Sequence, residues 1–180
     1  ADTMELIVIN DNTARVAALQ SGQVDMIDRV PPRTAGLVAR APGINVHRTA
    51  GPGHYVFIAH VNTDPFNNQD VMMALKHGMN RQEMVDKVLF GYGSVGNDTP
   101  INASYSYYTE VEQREYDPDK AAFHRKQSGK DTPILPRTPE NSLPVSPDAA
   151  ALFQQSLPPA ATPPHIKRQP HYASLSVSGT

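Results

Sequence analysis

Apolar positions along the first half of the chain fall either in short continuous runs or in stripes of helical spacing. Met4-Glu5-Leu6-Ile7-Val8-Ile9 is rich in β-branched residues and stops at Asn10-Asp11-Asn12, the pattern of a buried strand and a turn. Val16 and Leu19 then predict a short helix from Thr13 to Ser21, with Gly22 as its C-terminal glycine. Val24–Ile27 reads as a second strand, so the opening is β-α-β. Pro31-Pro32 starts another short helix, where the first-turn amides have no helical partner to lose, and Leu37 and Val38 are its expected buried positions. Ile44–Val46 and Tyr55–Ile58 are further strand candidates, separated by the Gly51-Pro52-Gly53 turn.

The middle of the chain has the strongest periodicity. Val71, Leu75 and Met79 recur at i, i+4 and i+8, with Met72 beside them, and Asn67 is placed to cap the helix they define. Asn80 caps a second helix with Glu83 at the reciprocal capping-box position. Met84, Val85, Val88 and Leu89 form its stripe, and Gly91 ends it. Residues 91–116 are rich in Gly, Asn, Ser and Tyr and read as a long surface excursion. Asp117-Pro118 then opens a third helix through Ala121, Ala122 and Phe123 to Gly129, with Asp as cap and Pro at the first helical position. Strands alternating with helices predict an α/β fold, a mixed β-sheet flanked by helices.

Composition changes this picture near residue 130. Residues 1–130 hold seven prolines and 28 charged side chains, whereas residues 131–180 hold ten prolines and six charged side chains. The chain is therefore read as an α/β region, 1–130, and a proline-rich continuation, 131–180. Zero cysteines exclude a disulfide framework, a thiol nucleophile and thiolate zinc sites. A formal charge of −2 gives no basic footprint for nucleic acid or an anionic membrane. The apolar runs are far too short to span a bilayer. Ala1-Asp2-Thr3 lacks the basic start and long apolar stretch of a signal peptide, so either a mature chain or a start lying upstream is expected.

The candidate chemistry is sparse. Gly91-Tyr92-Gly93-Ser94-Val95-Gly96 spells the dinucleotide pattern GxGxxG, but a helix precedes it and turn sequence follows, the reverse of the strand-to-helix context that aims amides at a pyrophosphate. Seven histidines (His47, His54, His60, His77, His124, His165 and His171) include no close helical ligand pair, so no metal site is expected. Glu110, Glu112, Glu115, Asp117 and Asp119 lie along one stretch beside a helix start rather than facing each other across a cleft, which reads as a solvated acidic face. No Gly-x-Ser-x-Gly elbow is present. Nothing in the residues points to an enzyme or a cofactor. Tyr105, Tyr107, Tyr108 and Tyr116 cluster in the excursion, and the expectation is that they pin it to its own domain rather than line a binding cleft.

Four phrases, in order, resemble one family: the dipeptide- and oligopeptide-binding receptors of peptide-type ABC importers. Ala14–Asp25 is similar to its R-x-x-A-L-x-S-G-x-x-D entry, and Asn62–Val71 to its N-x-x-x-P-F-x-D-x-x-V signature. Met79–Val85 is similar to its D-R-x-x-I-V helix, and Tyr116–Ala121 running to Gly129 to its Y-D-P-x-K-A segment. Met72 stands where the family usually has arginine, and Asn80 where it has aspartate. Ser146–Gln155 resembles the following helix and Ile166–Pro170 the following strand, with Pro158-Pro159 and Pro163-Pro164 interrupting the pattern between them.

The resemblance implies one lobe, the C-terminal one, of an extracytoplasmic two-lobed receptor that binds a peptide or other small solute and delivers it to ABC importer permease subunits. It implies ligand-facing groups at Asn141, Ser142 and Leu143. The alternative is a free-standing interaction module that reuses this lobe and binds a protein through the tyrosine-rich excursion or the proline-rich tail.

Overall fold

The computed structural model describes residues 2–49, 51–131, 134–139, 146–157, 167–169 and 176–179. It divides into two compact units, Ala1–Thr49 and Ala50–Thr180. The change in composition near residue 130 falls inside the second.

In the first unit, helices α1 (Asn12–Gln20) and α2 (Pro32–Val38) form where the sequence predicts them. Asp11 caps α1 by accepting the Ala14 amide at 2.7 Å, and Gly22 takes the left-handed conformation, φ +74°, that a helix-terminal glycine supplies. The strands do not form. Residues 4–9 and 24–27 carry no ladder, and Met4, Leu6, Val8 and Met26 are at least 76% exposed. A strand satisfies its backbone only through a neighbour, and neither segment has one among the described residues. Arg15 ties these segments to α1, donating to Ile9 O (2.9 Å), Asn12 Oδ1 (2.6 Å) and Arg29 O (3.2 Å). Val38 is buried as expected, but Leu37 points to solvent. Residues 44–46 also form no strand.

The second unit holds α3 (Gln69–Gly78), α4 (Arg81–Lys87), α5 (Pro118–Gln127) and α6 (Ser146–Ser156), with four short strands: β1 (Ile58–Ala59), β2 (Ile134–Pro139), β3 (Lys167–Gln169) and β4 (Ser176–Gly179). Their order is β1-β4-β2-β3, with β1–β4 and β2–β3 parallel and β2–β4 antiparallel. β1 retains only Ile58 of the Tyr55–Ile58 candidate and adds Ala59. β2 carries Pro136 and Pro139, residues that cannot donate to a ladder. Pro136 pairs only with β4 and Pro139 only with β3, while Arg137 has partners on both sides.

The cap of α3 is Asn68, not Asn67: its Oδ1 accepts the amides of Asp70 (2.9 Å) and Val71 (3.2 Å). Asn80 caps α4 through the Glu83 amide (3.1 Å), but the Glu83 carboxylate turns to Lys87 instead of completing a capping box. Asp117 caps α5 through the Lys120 amide (2.9 Å), with Pro118 at the first helical position. That amide is the main reason the Asp117 carboxyl titrates below its ordinary value. The core sets Phe66, Val71 and Leu75 against Ile134, Phe153 and Leu157, with the Phe57 and Phe153 rings 4.6 Å apart. Val88, Ala149 and Leu152 continue it between the end of α4 and α6. Within α5, Ala121 is fully buried while Ala122 and Phe123 are exposed.

Candidate functional site

The excursion between α4 and α5 is a loop on a built base. Gly91 closes α4 with φ +77°, its amide donating to Val85 O at 2.9 Å. Gly93 follows against Leu89, where a Cβ would meet Cδ1 at 2.6 Å. The GxGxxG letters thus serve a helix exit and a close approach, with no helix after them. Asn97 then bridges the two ends of the excursion. Its Nδ2 donates to Glu112 O (2.8 Å) and Val111 O (3.4 Å), and its Oδ1 accepts the Arg114 amide (3.0 Å).

Asp98 adds a charged knot. It sits at φ +41°, a conformation that Asp tolerates better than most residues. One carboxylate oxygen accepts from Arg81 Nη2 at 2.5 Å and the other from Arg114 Nε at 2.6 Å, with Lys76 Nζ 3.9 Å away. Arg81 also donates to Lys76 O (3.2 Å) and Arg114 O (3.3 Å), so it joins α3, α4 and the returning segment of the loop. With side chains 12% to 28% exposed, the two arginines and Asp98 are shielded enough for geometry to matter more than in a surface pair.

A shallow cleft of about 260 Å³ opens over this base, lined by Arg81, Gln82, Gln113, Arg114 and Tyr116 among others. It offers amide and guanidinium donors, but the Asp98 carboxylate already engages both arginines. The cleft is thus framed in part by Arg81 and Arg114, the residues that hold Asp98 at the base of the excursion.

The tyrosines do the pinning expected of them only in part. Tyr107 is 88% exposed, and Tyr105, Tyr108 and Tyr116 remain exposed as well. Tyr116 alone reaches across the unit, its hydroxyl donating to Ser156 O at 3.3 Å. Polar side chains at the base replace aromatic anchoring. Asn97, Asp98 and Arg114 do not stand out in the sequence, because Asn97-Asp98-Thr99-Pro100 has the letters of an ordinary turn. The signal that could have found them is an Asn-Asp pair at a point of chain reversal, with Arg81 and Arg114 nearby in sequence and otherwise without a role. Asn141, Ser142 and Leu143 lie outside the described residues.

His77 and His124, read from the sequence as ordinary histidines outside any metal site, lie with their rings parallel between α3 and α5. Among the described residues, no three acidic or histidine side chains group as metal ligands, and no helix is long and apolar enough to cross a membrane.

Residues 1–161 match the family described as bacterial extracellular solute-binding proteins, family 5, middle. The chain belongs to this family. Among curated relatives, the glutathione-binding protein GsiB of Salmonella typhimurium is 27% identical over 121 residues, 67% of this chain and 23% of the relative. Heme-binding protein A of Haemophilus influenzae is 29% identical over 122 residues, 67% of this chain and 22% of that protein. The di/tripeptide-binding protein 1 of Pseudomonas aeruginosa is 24% identical over 128 residues, 71% of this chain and 24% of that one. The chain thus spans about a quarter of the length of the curated relatives it matches.

Solved structures give the same fold. NikA of Staphylococcus aureus, in complex with Ni(L-His)2, superposes at a TM-score of 0.68 with 20% identity, covering 89% of this chain and 35% of NikA. The oligopeptide-binding protein AppA of Bacillus subtilis, in complex with a nonapeptide, superposes at 0.66 with 20% identity, covering 96% of this chain and 40% of AppA. The fold is that of part of a periplasmic binding protein.

Proposed function

We propose that the chain forms a ligand-binding lobe of an extracytoplasmic receptor that hands peptides to an ABC importer. The family match over residues 1–161 carries this reading, supported by relatives named for glutathione and for di- and tripeptides. Residues 1–130 and the continuation 131–180 belong to one lobe, whose full sheet is mixed and flanked by helices. A peptide lies between this lobe and a second one, and hinge closure buries it. Main-chain hydrogen bonds accept varied side chains, while fixed charges hold the termini. Asn141, Ser142 and Leu143 supply ligand-facing groups. The closed form is what the permease recognises, and the role is binding without chemical conversion.

Isothermal titration with di- to pentapeptides tests the proposal. The 180-residue chain alone is expected to bind more weakly than about 100 µM, because a single lobe lacks the opposing wall that encloses the ligand on closure. The same chain joined to the complementary lobe of a family 5 receptor is expected to recover micromolar affinity. Micromolar binding by the chain alone overturns the one-lobe reading, and failure of the joined protein to bind any peptide overturns the peptide assignment.

A further inference from the structure

Helices α3 and α5 run antiparallel, tied at both ends. Asn68 Nδ2, before α3, donates to Ser128 O beyond α5 at 3.3 Å. Asp117 N, before α5, donates to His77 O near the end of α3 at 3.0 Å. Between these ties each helix contributes one imidazole. The rings of His77 and His124 stack with centroids 6.0 Å apart and planes 1° from parallel, and Phe123 meets His124 edge-on.

The two rings have unequal surroundings. His124 Nδ1 lies 2.7 Å from Asp70 Oδ1, which supplies a counter-charge whenever His124 is protonated. His77 Nδ1 is buried with no hydrogen-bond partner among the described residues. Burial lowers the His77 pKa below its ordinary 6.5, against a smaller opposing effect from its hydrogen bond to the Glu115 main chain. Arg114, on the segment before α5, and Lys120, on α5, disfavour a charge on His77 as well, while Asp117 favours one.

We propose that this pair is a proton-operated latch: with His77 neutral the two rings lie parallel in the α3–α5 seam, and a proton on His77 places an unpaired charge beside the second ring and loosens the seam. The arrangement is asymmetric, since Asp70 lies against the His124 ring and not against His77. Because the folded state resists protonation of His77, the unfolded chain binds that proton first as pH falls below 6.5. The stabilisation is therefore fully present above that value. It is lost as pH falls from 6.5 through the lower folded-state value.

The test uses the 180-residue chain and its His77→Gln and His124→Gln variants. Imidazole NMR signals are followed from pH 8 to pH 4.5, each assigned by its loss in one variant. The His77 signal is expected to titrate below 6.5. Between pH 7.5 and pH 5 the melting temperature of the wild type is expected to fall about 3–6 °C further than that of His77→Gln. The Asp117 amide, bonded to His77 O, is expected to lose exchange protection over the same pH range only in the wild type. A His77 signal titrating at or above the ordinary value, or an equal fall in melting temperature in His77→Gln, overturns the latch. Should His77→Gln fail to fold, His77→Phe keeps a ring in the seam without a proton site and is read by the same criteria.

Discussion

Residues 4–9 and residues 71–79 have comparable apolar content and opposite fates. Val71 and Leu75 are no more than 7% exposed, whereas Leu6 and Val8 are more than 80% exposed. A helix satisfies its own backbone and needs outside help only at its ends. In 68–78 that help is encoded locally, since Asn68 receives two amides. An extended run leaves every other backbone group to a neighbour and buries its side chains only when one is present. Apolar pattern therefore specifies burial only together with the means to satisfy the main chain.

Substitutions in the two kinds of segment test this directly. Phe153 is 1% exposed and packs on Phe57, so Phe153→Ala is expected to cost about 3–5 kcal/mol in urea unfolding. Leu6→Ala, which also truncates a large apolar side chain, is expected to change stability by less than about 0.5 kcal/mol in the same experiment. A loss above about 1 kcal/mol for Leu6 would erase the contrast. Asp98→Ala leaves Arg81 and Arg114 without their shared carboxylate and is expected to cost about 2 kcal/mol. Limited proteolysis is the second readout for that variant, with faster cleavage expected within residues 99–110. Asn68→Ala removes the cap of α3 at about 1 kcal/mol, whereas Asn67→Ala, one residue away, is expected to be close to neutral. Equal losses at the two asparagines would place the cap elsewhere. Lys87→Ala, which removes an exposed pair with Glu83, is expected to cost no more than about 0.5 kcal/mol and to lose even that at high salt.

Legibility in the sequence followed the same physics. The ends of α4 and α5 could be read because Asn80, Asp117 and Pro118 act on amides within three residues of themselves. The one-residue error at α3 arose where two asparagines stand side by side and only backbone geometry selects between them. Strands were poorly legible because their partners lie far along the chain. Ser176–Gly179 has little β-propensity, yet it pairs with both β1 and β2. Pro136 and Pro139 are tolerated in β2 because each has a paired neighbour on one side only. The base of the candidate site was illegible for a related reason: Asn97 and Asp98 act on residues 14 to 17 positions away, beyond any local pattern. Family resemblance supplied what periodicity could not, because its four phrases register long-range order without requiring the contacts to be seen.

Asn97 and Asp98 fasten the outgoing end of the excursion to residues 111–114. Once the two ends of a loop are held, the conformational cost of lengthening what lies between grows only logarithmically, about 0.6 kcal/mol for each doubling. Apart from Asn102, whose Nδ2 donates to Gly51 O at 3.4 Å, residues 99–110 can therefore be rewritten or extended with little burden on the frame. The frame behaves as a socket with an interchangeable tip.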